Sequence, residues 1–159
     1  MSNYFRHQPL EAVIEYEKGT LFVLLGCNLG TEAAEGLYGF LKGNFLNKEN
    51  EGKHNYVIDL EKVDFISSTG FGVFIELSKH KNKYVKLICK DEKPKKILGP
   101  LLGNNAEEFF EFENSLDSVL NERDATGNAY SIHINKILKS HKSKFVQPIS
   151  YKREELAIM

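Results

Sequence analysis

Apolar residues fall in short blocks between polar turns, and the spacing inside each block separates strand from helix. Ala12-Val13-Ile14-Glu15-Tyr16 and Leu21-Phe22-Val23-Leu24-Leu25 flank Glu17-Lys18-Gly19-Thr20, whose glycine can take φ > 0. That pattern predicts a β-hairpin. Residues 1–9 hold no such block and read as a loose arm. Beyond the loop Gly26 to Gly30, Thr31 stands where it can cap a helix with apolar positions Ala34, Leu37, Tyr38, Leu41 and Phe45 at i, i+3, i+4 spacing. A polar stretch, 47–53, follows. Tyr56-Val57-Ile58-Asp59-Leu60 is nearly continuous in apolar character, as a central strand covered on both faces should be.

Val73, Phe74 and Leu77 stripe a second helix, which ends in the basic run Lys79-His80-Lys81-Asn82. Tyr84 to Cys89 is a fourth strand. Pro94 suits the first turn of a short helix through Ile97, Leu98, Leu101 and Leu102, stopped by Gly103-Asn104. Phe110-Glu111-Phe112-Glu113 alternates like a half-exposed edge strand. Asn114-Ser115 then caps a last helix with Leu116, Val119 and Leu120 inward. The order β-β-α-β-α-β-α-β-α predicts a single α/β domain: a mixed sheet of four to five strands with about four helices packed on it. The apolar pattern is complete by Leu120. That sets the domain at residues 10–121 and leaves 122–159 as a linker and basic C-terminal tail, without which the domain should fold. In the tail, Ile134, Ile137 and Leu138 suit a short helix, whereas Tyr130, Ile132 and Ile134 suit a strand. The pattern leaves both open.

Charge sharpens the division. The net charge of −1 hides an asymmetry: residues 1–124 hold 15 Lys and Arg against 20 Asp and Glu, and residues 125–159 hold 6 against 2. An acidic body carries a basic tail. The tail reads as a flexible extension or as a helix folded back on the body. A docking element for a partner or an anionic membrane surface is the less favoured reading. Few aromatics interleave its lysines, so nucleic-acid binding is not indicated. No apolar run approaches the ~18 residues that span a bilayer, and the N-terminal segment lacks the apolar core of a signal peptide. A cytoplasmic location is therefore expected. Cys27 and Cys89 have no C-x-x-C spacing and no histidine set, and read as buried, reduced thiols rather than as a disulfide or metal site.

Templates for catalysis and for nucleotide binding are absent: no G-x-x-x-x-G-K-[ST], no G-x-S-x-G and no G-x-G-x-x-G. No cofactor, metal or catalytic residue is assigned. One segment does concentrate chemistry. The strand at 56–60 leads through Val63, Phe65 and Ile66 to Ser67-Ser68-Thr69, closed by Gly70 and Gly72 at the start of the second helix. Three hydroxyls at a helix N-terminus are either a cap or a place to put a phosphate. As a cap, Ser67 accepts a backbone N–H and contributes about 1 kcal/mol. Ser68 then falls at the first helical position with its hydroxyl outward. The two glycines leave little bulk around it, and a phosphate there meets unpaired N–H groups and the positive end of the helix dipole.

The run V-I-D-L followed by V-D-F-I-S-S-T-G-F-G resembles the signature of the STAS family, the sulphate transporter and anti-sigma factor antagonist domains. The resemblance covers roughly residues 10–121. Aligning Val63-Asp64-Phe65-Ile66 and Gly70-Phe71-Gly72 puts Ser68 at the family's phosphoacceptor hydroxyl, with Thr69 next to it as the alternative. One position departs from the pattern: the family's usual aspartate before the acceptor is Ser67 here, which keeps the capping group and loses the charge.

The resemblance implies a partner-switching regulator with no catalysis of its own. Unphosphorylated, such a protein binds an anti-sigma factor or serine/threonine kinase of the switch-protein type. Phosphorylation releases it, and a phosphatase resets the cycle. The residues implied in partner contact are Ser67, Ser68, Thr69, Gly70, Phe71 and Ile75. Phe71 and Ile75, one turn apart, are read as an apolar patch with the acceptor at its rim, or else as core. The alternative function is a STAS scaffold or accessory subunit of a transporter or signalling complex that is never phosphorylated. An enzyme or nucleotide-binding module built on the Ser67–Gly72 turn is disfavoured, since neither a base nor a lysine is evident.

Overall fold

The computed structural model describes residues 3–7, 10–44, 55–79, 85–103, 106–124 and 127–145, with side chains from Leu10 onward. The elements are β1 (Asn3–His7), β2 (Leu10–Glu17), β3 (Thr20–Leu25), α1 (Thr31–Asn44), β4 (Asn55–Asp59), α2 (Ser68–Ser78), β5 (Val85–Ile88), α3 (Lys93–Leu101), α4 (Ala106–Phe109), β6 (Phe110–Glu113), α5 (Leu116–Leu120) and α6 (Ile132–Lys142). They form one six-stranded mixed sheet in the order β1-β2-β3-β4-β5-β6. β1, β2 and β3 pair antiparallel, and β3 to β6 pair parallel. The connections dictate that change. β2 and β3 are joined by a tight turn with φ > 0 at both Lys18 (46°) and Gly19 (84°), which matches strand twist, whereas each parallel step needs a helical crossover.

Period-two alternation divides the core. Leu10, Ala12 and Ile14 of β2, Leu21, Val23 and Leu25 of β3, Tyr56 and Ile58 of β4, and Val85 and Leu87 of β5 face α1 and α2. Val13, Phe22, Leu24, Val57 and Ile88 face the other way. There they meet Leu116, Val119 and Leu120 of α5, and Tyr130, Ile134, Leu138 and Phe145 on and around α6. The predicted inward sets of the second and last helices hold: Val73, Phe74 and Leu77 are buried, as are Leu116, Val119 and Leu120. In α3 only Leu98 is buried. Leu101 is 58% exposed and Ile97 37%, so the apolar residues that mark this helix in the sequence are largely on its outer side. Phe45 lies outside the described residues. Thr31 is the first residue of α1 rather than its cap, since the N–H of Ala34 already donates to the carbonyl of Gly30 at 2.9 Å.

Two expectations need correction. Part of the loose arm, residues 3–7, is an edge strand, paired from Asn3 opposite Ile14 to His7 opposite Leu10. Its ordering comes from the open edge of β2, a long-range template that the segment's own pattern does not announce. Packing also continues beyond residue 121. The tail forms helix, not strand, capped by Ser131, whose Oγ accepts the N–H of Ile134 at 3.0 Å and donates to Glu17 at 2.5 Å.

Near the end of α6, Lys142 donates to Asp59 Oδ2 at 2.5 Å and to Glu61 Oε1. Asp59, 1% exposed, ends β4 on the same face as Val57. Burial works against the Lys142 charge, but the Asp59 and Glu61 carboxylates outweigh it and hold its pKa above the usual lysine range. Burial raises the Asp59 carboxyl against the pull of that ammonium. Phe145 packs on Gly26, where a Cβ would come within 2.6 Å of the ring's Cε1 and Cγ.

Removing residues 125–159 therefore takes Tyr130 off Phe22, removes Ile134, Leu138 and Phe145 from the second-face core, and strips Asp59 of its cation. Each buried side chain of this size contributes about 1.5–3 kcal/mol, and a domain's whole stability is about 5–15 kcal/mol. Truncation is expected to lower the urea midpoint severely or abolish the cooperative transition, with dye-detected apolar exposure. An unchanged midpoint would show α6 to be dispensable.

Candidate functional site

Two loops meet where α2 begins. Residues 26–30 connect β3 to α1, and residues 60–67 connect β4 to α2. They are latched by the side chain of Asn28, whose Oδ1 accepts the N–H of Asp64 at 2.8 Å and of Phe65 at 3.1 Å. A parallel bridge between Leu29 and Ile66 continues the latch. Leu29 N donates to the carbonyl of Phe65 at 2.9 Å, and Ser67 N to that of Leu29 at 2.8 Å. Backbone groups that would otherwise be unpaired in these loops thus hold one another in place.

From that anchored position Ser67 caps α2. Its backbone is extended (φ −74°, ψ 167°), its Oγ accepts Gly70 N at 3.1 Å, and its carbonyl accepts Phe71 N at 3.0 Å. Ser68 follows as the first helical residue and is exposed. Thr69 is half-buried, and with Gly72 and Val73 it lines one wall of a groove opposite Tyr38 and Lys42 of α1. The first turn of α2 carries no acidic residue. Its N–H groups and dipole are left with no built-in negative partner on that helix.

The remaining expected contact residues turn toward the core. Gly70 is buried, and a Cβ there would lie 2.8 Å from Ile66 Cγ2 and 3.0 Å from Leu29 Cδ2. Its lack of a side chain lets the latched loops close, rather than clearing space for a visitor. Phe71 is 4% exposed and sits edge-on to Phe74, ring centroids 6.3 Å apart. Ile75 is partly buried against the same core. Helical geometry explains this: 71, 74 and 77–78 follow the i, i+3, i+7 stripe that already points at the sheet. Of the two readings for Phe71 and Ile75, patch or core, Phe71 is core and Ile75 is half-buried at its edge.

The exposed aromatic is instead Phe65, 55% accessible. It lines a cleft of about 240 Å³ between the β4–α2 and β5–α3 loops, spanned by an ion pair from Lys90 to Asp64 at 2.8 Å. Cys89 lies in this cleft. Burial, with the Asp91, Asp59 and Glu92 carboxylates, pushes its thiol up to about 12, which disfavours the nucleophilic thiolate. Neither cysteine is in a disulfide, and Cys27 is buried, its Sγ accepting the N–H of Glu11 at 3.3 Å. Among the described residues no three His, Cys, Asp or Glu side chains converge as a metal site, and no helix is long and apolar enough to cross a membrane.

No protein-family model and no curated protein sequence matches the chain. Solved structures do. A crystal structure of TM1081 from Thermotoga maritima, described as an anti-sigma factor antagonist, superposes with a TM-score of 0.55 at 18% identity, covering 68% of this chain and 90% of that one. A solution structure of the same protein gives 0.53 at 18%, covering 76% and 90%. An anti-sigma factor antagonist from Mycobacterium paratuberculosis gives 0.50 at 18%, covering 70% and 92%. The chain has the α/β fold of anti-sigma factor antagonist (STAS) structures. At this identity the likeness is one of fold.

Two substitutions probe the site's construction. Ser67→Ala removes the cap and is expected to cost about 1 kcal/mol in chemical denaturation. Gly70→Ala forces Ile66 or Leu29 to shift and is expected to cost about 1–3 kcal/mol. A neutral Gly70→Ala would mean that the loops are looser than their contacts imply.

Proposed function

We propose that this protein is a phosphorylation-controlled partner-switching regulator of the anti-sigma factor antagonist kind, with Ser68 as the acceptor. The observation that carries the reading is an exposed serine at the first position of a capped helix, on a fold shared with such antagonists. Ser67 satisfies one N–H of the first turn, and the positive end of the helix dipole favours a phosphate on Ser68. The domain therefore tolerates the modification, while a partner seated on the same spot does not. A phosphate adds about −1.5 to −2 charges at pH 7, and a thousandfold loss of affinity needs only about 4 kcal/mol.

In this reading the unphosphorylated form binds an anti-sigma factor or serine/threonine kinase of the switch-protein type, and a phosphatase restores it. The protein works in the cytoplasm and has no catalysis of its own. The contact surface is Ser68 and Thr69 with the adjoining α1–α2 groove, flanked by Phe65. Ser67, Gly70, Phe71 and Ile75 support it from beneath. A serine in place of the usual aspartate at 67 favours a second reading, a STAS scaffold or accessory subunit that is never phosphorylated.

The two readings part on one experiment. Partners captured from the native lysate by wild-type protein are tested against Ser68→Glu and Ser68→Ala, and the native protein is searched for phosphopeptides. The switch predicts phosphate on Ser68, binding lost in Ser68→Glu and retained in Ser68→Ala, with an unchanged unfolding midpoint in both. Undiminished binding by Ser68→Glu, with no phosphate found, leaves the scaffold. Phosphate on Thr69 instead moves the acceptor by one residue.

A further inference from the structure

The end of α6 and the turn that follows it touch both loops that hold the Ser68 site, and do so from the opposite face of the sheet. Lys142 donates to Asp59 and Glu61, at the exit of β4 where the 60–67 loop begins. Glu61 N donates to Asp59 Oδ1 at 2.9 Å, so the same carboxylate that receives the lysine also shapes the first bend of that loop. Three residues on, Phe145 lies against Gly26, the first residue of the 26–30 loop, whose missing Cβ is the condition for the contact. Gly26 N in turn donates to the carbonyl of Glu11 at 2.9 Å, fixing that loop to β2. Beyond these two anchor points the loops are joined by Asn28 and by the Leu29–Ile66 bridge, which deliver Ser67 to its capping position.

We infer that Lys142 and Phe145 are positioning residues for the Ser68 turn, making the C-terminal turn of α6 a brace that sets the separation of the two loops. The inference rests on the reading of Ser68 as the functional centre, but the device itself is geometric. When α6 is seated, one loop is held by an ion pair and the other by a ring, and the Asn28 latch closes between them. When α6 lifts, both anchors go together, because Phe145 lies in the short turn that closes the helix, its N–H bonded to the carbonyl of Lys142 at 3.3 Å. Asp59, which α6 covers, then loses its cation and meets water, and the bend that its carboxylate holds at Glu61 relaxes. The tail thereby becomes a second input to the site, able to report events on the far face of the sheet.

Native-state hydrogen exchange of the full chain tests this without any partner or kinase, so its outcome is independent of whether Ser68 is phosphorylated. The amides to follow are Leu29, Asp64, Phe65 and Ser67, the latch itself. Lys142→Met is compared with Leu120→Ala, a substitution in the same far-face core chosen to match its loss of global stability. The brace predicts that latch amides exchange about tenfold faster or more in Lys142→Met than in the matched control, and that Lys142→Arg restores protection. Equal exchange in Lys142→Met and the control overturns it. Should Lys142→Met fail to fold, Phe145→Leu is read the same way: it keeps an apolar cover on the sheet and takes the ring off Gly26.

Discussion

A sheet that is apolar on both faces governs the architecture. Val13, Phe22, Leu24, Val57 and Ile88 alternate with the residues under α1 and α2, so each central strand offers hydrocarbon in both directions. Leaving one side to water would expose a contiguous apolar surface far larger than monomeric proteins tolerate. α5 is five residues long and covers one end of that second face. The rest falls to Tyr130, Ile134, Leu138 and Phe145, which explains why the basic tail is folded onto an acidic body. Charge assists the docking at Lys142, but burial of apolar surface provides most of the driving force.

Coverage of the second face also shapes the chemistry at the strand ends. Asp59 follows Val57 in period two and so points under α6 rather than toward α2. A buried carboxylate there needs a cation, and the helix end supplies one. Two demands, covering hydrocarbon and compensating a charge, are met by a single helix. The result ties the tail mechanically to the loop that presents Ser68.

The site depends on closure more than on display. Gly70 brings Ile66 and Leu29 to its backbone, Asn28 stitches two loops together, and Ser67 spends its hydroxyl on the helix. Of the three hydroxyl residues Ser68 is the exposed one, with Thr69 half-buried beside it. That separation of roles makes the closure of the turn independent of the Ser68 hydroxyl. The exposed side chains around it, Phe65 and the wall of the α1–α2 groove, come from different elements and form a surface only in the folded chain.

Much of this was legible from local signals. The hairpin turn, the central strand, the capping serines at 67 and 115, and the inward stripes of α2 and α5 follow from period, φ preference and hydrogen-bond need, all of which act over a few residues. What lay outside the reach of pattern was decided by partners distant in the chain. β1 forms because β2 offers an unpaired edge. Phe71 is core because the sheet lies beneath it, Asn28 matters because a loop thirty-odd residues on brings it two N–H groups, and α6 is structural because a second sheet face required cover. Local physics specified the pieces, whereas the choice between solvent and burial for each amphipathic face belongs to the assembled sheet, since exposure has no meaning for a strand or helix considered alone.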